Sequence, residues 1–175
     1  TTTPQVIVNK YSWKPGWTEG GCYGFTINGI DAKDGGPLTG IATVSQGTDV
    51  FGNPTTTTTV TDYYIVKGKM ITTKAVSTTS GTDVLGNNTT TVSTTTYTYS
   101  KISKAGDPIE DIWDPKTGLA PGEMLVFNTI TTSTLTSGSD LYGGKWTTTT
   151  PQVIVNKYSW KPGWTSGGCY GFTIN

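Results

Sequence analysis

Residues 1–28 recur as residues 148–175, an offset of 147, and Glu19 standing as Ser166 is the one difference between the copies. Chance does not produce such a near-identity, so whatever this chain folds into must be able to begin again 147 residues later. The Glu/Ser difference favours a natural tandem array over a deliberate duplication. Residues 148–175 are therefore expected to open a second repeat.

The periodic stretches are all of one kind. Thr makes up 38 of the 175 residues, and Thr, Val, Ile, Tyr and Trp, the types that suit a pleated and half-buried surface, fill the alternating runs. Tyr64 and Val66, then Met70 and Thr72, flank Lys67-Gly68-Lys69 as two arms of a hairpin. Thr95, Tyr97, Tyr99 and Lys101 alternate with Thr94, Thr96, Thr98 and Ser100. Leu125, Phe127 and Thr129 alternate with Met124, Val126 and Asn128, and Val153 and Val155 with Ile154. No window has apolar residues at helical spacing, so the chain reads as all-β, with short to medium strands.

A shorter repeat sits inside the long one. Gly47-Thr-Asp49-Val-Phe51-Gly52-Asn53 recurs as Gly81-Thr-Asp83-Val-Leu85-Gly86-Asn87 and again as Gly138-Ser-Asp140-Leu-Tyr142-Gly143-Gly144. Each copy is followed by a run of Thr. This is strand-reversing chemistry. Asp bonds to backbone amides ahead of it, and Gly or Asn tolerates a positive φ. The apolar residues between are expected to tuck against the sheet. One carboxylate per copy is too few for a Ca²⁺ loop. The Thr runs are too irregular for the fixed short period of an ice-binding face, and a solvated strand face is the simpler reading.

From residue 97 the sequence Tyr97-Thr-Tyr-Ser-Lys-Ile-Ser-Lys-Ala-Gly106-Asp107 leads to Pro108-Ile-Glu-Asp-Ile112 and Asp114. Gly118-Leu-Ala-Pro-Gly-Glu123, Leu125-Val-Phe127 and Gly138-Ser-Asp140 follow. In this order the pieces resemble the tandem surface repeat of bacteria and archaea that folds as an Ig-like β-sandwich. Residues 70–91 resemble the closing hairpin of a preceding copy. The likeness covers about half the chain. It departs at Ser103-Lys104, and the Trp-rich segment 9–28 has no counterpart in it. The resemblance implies Ig-like sandwich modules at 1–88 and 89–147, with 148–175 starting the next repeat; 1–147 as one unit is the alternative. It also implies an extracellular stalk, filament or adhesin shaft on the cell surface, with no catalytic residues.

Composition bounds the rest. The net charge is zero and neither His nor Arg is present, so no basic footprint for nucleic acid exists. A Ser-His-Asp or Cys-His arrangement and a His-based metal site are excluded too, and the chain reads as no enzyme. No apolar run is long enough to span a membrane, and an export signal, if used, lies outside these residues.

Candidate sites follow from what remains. Trp13 and Trp17, with their copies Trp160 and Trp164, either pack at the junction between units or form a platform that stacks on glycans. Cys22 and Cys169 are equivalent positions, one per repeat, each a buried thiol or half of a bridge between units or chains. Asp107, Glu110, Asp111 and Asp114, with Glu123 nearby, form the densest acidic patch; it is either a solvated loop or a Ca²⁺ site. Lys10 and Lys157 are the candidate donors for an intramolecular Lys–Asn isopeptide bond, which requires a desolvated lysine.

The expected partner is another copy of the chain. In the leading reading, units stack as a shaft. The duplicated segment either opens its own unit or completes a neighbour's sheet by strand addition, removing an exposed edge. A glycan-binding adhesin module is the alternative, and an ice-binding protein the distant one.

Overall fold

A computed structural model describes residues 10–13, 24–27, 29–33, 35–48, 51–102, 112–155, 158–160 and 172–174. The strands are β1 (Tyr11–Trp13), β2 (Gly24–Ile27), β3 (Ile30–Lys33), β4 (Pro37–Thr48), β5 (Pro54–Val66), β6 (Lys69–Thr82) and β7 (Asn88–Ile102), then β8 (Met124–Ser139), β9 (Lys145–Val155), β10 (Tyr158–Trp160) and β11 (Phe172–Ile174). A short 3₁₀ turn spans Pro115–Thr117, and no α-helix occurs among the described residues. The all-β expectation is met.

Strands β4 to β9 form one antiparallel sheet in which every strand lies beside its neighbours in sequence, and β1–β2–β3 and β10–β11 form two small sheets. The large sheet is continuous across residue 88, where β7 pairs with β6 and β8, and across residue 147, which lies inside β9. Those are the positions at which the sequence suggests module boundaries.

Tight turns set the register. Between β5 and β6, Lys67 (φ 48°) and Gly68 (φ 73°) both take positive φ, as a two-residue hairpin turn matched to strand twist requires. The three copies of the short repeat join β4 to β5, β6 to β7 and β8 to β9, so all three lie at the same end of the sheet. Asp83 Oδ1 accepts from the amides of Leu85 (2.8 Å) and Asn87 (2.9 Å). Asp140 Oδ1 does the same for Tyr142 (2.9 Å) and Gly144 (2.7 Å). The expected chemistry is present at both turns. The expected packing is not: Phe51, Val84, Leu85, Leu141 and Tyr142 are all exposed, because the turns project past the last ladder rungs.

Register shifts at three places divide the sheet. They fall between Leu38 and Ile41 in β4, at Thr73 opposite Asp62/Tyr63, and at Asn128 opposite Thr98/Tyr99. Such bulges leave backbone groups unpaired and bend the strand, and side chains take up the slack. Asp62 Oδ1 accepts from the Gly40 amide (2.9 Å), and Thr98 Oγ1 from the Thr129 amide (3.0 Å). The Asn128 bulge also breaks the plain alternation expected along β8.

The apolar core sits at or beyond this line. There the β6–β7 ladder stops at Lys74–Thr96, while β5–β6 continues to Lys69 and β7–β8 to Ile102. The sheet thus parts into two leaves. On one side Val66, Tyr99 and Trp113 are buried together, with Tyr64, Ile71, Leu119 and Leu125 packed against them. On the other, Ala32 of β3 joins Leu38, Ile41 and Ile65. Ile65 and Val66 are adjacent in the chain, yet 0% and 5% exposed, which requires cover on both faces. Full burial of each large side chain stabilises by about 1.5–3 kcal/mol, so this end anchors the fold.

Trp113 enters from the connection between β7 and β8. Its amide donates to the Tyr99 carbonyl (2.7 Å) and its indole Nε1 to the Gly118 carbonyl (3.0 Å). The following Ala120-Pro121-Gly122-Glu123 is a reverse turn, with Gly122 at φ 86° and the Glu123 amide donating to the Ala120 carbonyl. Glu123 also pairs with Lys101 at 3.0 Å.

Candidate functional surface

Away from the core the register stacks hydroxyls into rows. One row runs Ser45, Thr57, Thr79, Thr91, Thr136, Thr148 across all six strands, and the next runs Thr43, Thr59, Ser77, Ser93, Thr134, Thr150. Alternation places both on one face. Neighbouring hydroxyls bond across strands: Thr57–Thr79 (2.9 Å), Thr59–Ser77 (2.8 Å), Thr91–Thr136 (3.2 Å), Ser93–Thr134 (3.2 Å) and Thr95–Thr132 (3.0 Å). Such pairs each contribute about 0.2–1 kcal/mol. The Thr runs that look irregular along the chain become regular across the sheet. The opposite face carries Val44, Val60, Val76, Val92 and Leu135 among its Thr residues.

The outermost row on the hydroxyl face is Gly47, Thr55, Gly81, Thr89, Gly138 and Trp146. Here Trp146 of β9 covers Gly138 of β8. No sequence motif marks that pair, because it exists only once the β8–β9 register is known.

Strand β9 is an edge whose residues are all exposed, Val153, Ile154 and Val155 included. Pro151 stands opposite Ser133 in its middle. A proline has no N–H to give, so it fits only where the strand's backbone nitrogen points away from β8. Because hydrogen-bonded and non-bonded pairs alternate, Gln152 and Ile154 then direct their amides into the ladder, toward Thr132 and Ile130. On the free side Pro151 interrupts the row of donors, which protects the edge.

The sites read from the sequence are distributed unevenly. Trp17, Trp164, Cys22, Cys169, Asp107, Glu110, Asp111 and Lys157 lie outside the described residues. Trp13 pairs through its backbone with Phe25, and Trp160 likewise with Phe172, so the two copies of the hairpin share one register. Asp114 caps the 3₁₀ turn, its Oδ1 accepting from the Lys116 amide (3.0 Å). Glu123 is engaged by Lys101 and by the Ala120 amide. Among the described residues no three His, Cys, Asp or Glu side chains converge as a metal site. Lys10 is exposed rather than desolvated, contrary to what an isopeptide donor needs. No helix among the described residues is long and apolar enough to cross a membrane.

Among the described residues, the polar side chain held most deeply is one the sequence does not single out. Ser100 is 0% exposed, and its hydroxyl accepts from Asn128 Nδ2 at 2.8 Å, tying the β8 bulge to β7. Tyr99 is its neighbour. Burial, with a smaller contribution from Tyr97, pushes the Tyr99 phenol up to about 12, and its hydroxyl donates to the Thr72 carbonyl at 2.7 Å across the gap between the leaves.

A scan against family models finds no match to this chain, and searches among curated proteins and among solved structures find none either.

Proposed function

We propose that this chain is a repeat unit of an extracellular structural array, a stalk, filament or adhesin shaft, whose partner is the next copy of itself. The observation that carries the reading is the duplicated segment, which forms the same hairpin twice. Tyr11–Ile27 and Trp13–Phe25 recur as Tyr158–Ile174 and Trp160–Phe172. Placement outside the cell follows from the resemblance of residues 97–140 to surface repeats. A sandwich-like module is the reading that the core end supports, since Val66 and Tyr99, from the two leaves of the sheet, pack there with Trp113.

The strand count bears on how copies would join. An even-stranded meander returns the chain to the end from which it entered, so β4 starts and β9 finishes at the core end. Successive copies therefore connect through their core ends, with the turn ends pointing away from the array's axis. Small-angle scattering of chains holding one, two and three periods tests this. A constant increment in length per period supports the array; flexible beads, whose size grows as a random chain, would rule it out.

A second reading gains from the hydroxyl rows. Ranked Thr hydroxyls on an extended sheet are the feature an ice-binding face needs, and the sheet supplies the regularity that the linear sequence lacks. Thermal hysteresis decides it, and its absence at millimolar protein removes the idea.

A further inference from the structure

Residues 148–155 are Thr-Thr-Thr-Pro-Gln-Val-Ile-Val, and so are residues 1–8. Residues 148–155 make up most of β9 and pair with β8 from Thr129 to Thr136. The duplicated segment therefore has two parts with different allegiances. Its later part, represented by β10 and β11, repeats the hairpin that leads into β3 and the core in the first copy. Its first eight residues close the sheet of the copy before it.

We infer that residues 1–8 are the closing strand of another copy's sheet, and that the structural unit of the repeat runs from about residue 10 to residue 155. The inference rests on the tandem reading and adds which strand crosses the junction and which edge receives it. Residues 1–8 carry all that the β8 edge reads in 148–155. Pro4 matches Pro151 at the position whose nitrogen faces away from β8. Gln5 and Ile7 match Gln152 and Ile154, which direct amides into the ladder as Thr148 and Thr150 do. Within one chain residues 148–155 hold the site, because a tethered strand acts at an effective concentration of about millimolar. When that strand fails, residues 1–8 of a second chain take its place. The contact is then head-to-tail, which extends into open chains or closes into rings, so it gives a set of sizes rather than one two-fold dimer.

Ile154→Pro tests this in the full chain, since it removes an inward amide from the resident strand only. Light scattering behind gel filtration is expected to show the parent at one chain mass, 18.6 kDa, and the variant as concentration-dependent multiples of it. Adding Ile7→Pro to Ile154→Pro disables both copies and is expected to return one chain mass. A synthetic peptide of sequence TTTPQVIV is expected to bind this double variant and restore its β circular dichroism, whereas a peptide with Pro for Ile does neither. Oligomers that survive Ile7→Pro would overturn the inference. So would an Ile154→Pro chain that stays at one mass, and so would a double variant, folded or not, that ignores the peptide. None of these results touches the length increment per period, which tests the array itself.

Discussion

The indole of Trp146 lies over Gly138 on the neighbouring strand, so close that a methyl group at Gly138 would sit 2.5 Å from Cε2 and Cζ2 of the ring. An aromatic ring over a strand glycine covers backbone that would otherwise be bare. Because Trp146 is 48% exposed, its ring can swing outward, and Gly138→Ala is expected to displace it without breaking the ladder. A loss of about 1–2 kcal/mol is expected for Gly138→Ala and for Trp146→Ala alike. The double variant should fall well short of their sum in urea unfolding, since either change already undoes the contact.

The aspartates at the turn end hold their hairpins closed. Asp83→Ala and Asp140→Ala each free two backbone amides that the carboxylate now accepts. Each substitution is expected to cost about 1–2 kcal/mol. Asn, which keeps an acceptor oxygen at the same reach, should recover much of the loss. Urea midpoints of the Ala and Asn variants side by side check this.

Alkali should loosen the two leaves. The Tyr99 phenol is raised from 10.0 to about 12, chiefly by burial. Its neutral form is thus favoured by folding. The contribution is complete below pH 10 and is lost as pH rises from there through about 12. Tyr99→Phe gives up the bond to the Thr72 carbonyl and is expected to be about 1 kcal/mol less stable at neutral pH. It should also lose less stability than the parent between pH 10 and 12, which melting curves across that range report.

Trp113 is the wedge of the core end. It is 6% exposed, meets Tyr64 edge-on at 6.4 Å, and is bonded through its indole to Gly118. Trp113→Ala is expected to cost about 3–5 kcal/mol. Trp113→Phe keeps the ring contact with Tyr64 but loses the indole bond, so it should fall between Ala and the parent in thermal unfolding.

Much of this fold could be read from local chemistry. Lys67-Gly68 marks a two-residue turn, Asp83 and Asp140 mark strand reversals, and Ala120-Pro121-Gly122-Glu123 marks a bend, each because few residues tolerate those dihedrals. What the linear sequence hides depends on register. The bulges at Thr73 and Asn128 carry no residue signature, yet they decide where the sheet bends and which Thr residues share a row. Trp113 stands in a stretch of charges and turns, and nothing nearby announces that it fills the gap between two leaves. Phe51, Leu85 and Tyr142 look like core residues by type, and are exposed because turn geometry carries them past the sheet. The split of the duplicated segment is hidden for the same reason: identical sequence shows that it repeats, and only the β8–β9 ladder sets residues 148–155 apart from those that follow.

That boundary is the claim on which the rest stands. Three chains ending at residues 147, 155 and 175 place it directly, compared by urea unfolding at submicromolar concentration, where strands from other chains do not compete. If residues 148–155 close the sheet, the chain ending at Val155 matches the full chain. The one ending at Thr147 should then unfold several kcal/mol more easily, in line with about 1 kcal/mol for each ladder bond lost. Equal stability of the 147- and 175-residue chains would contradict it.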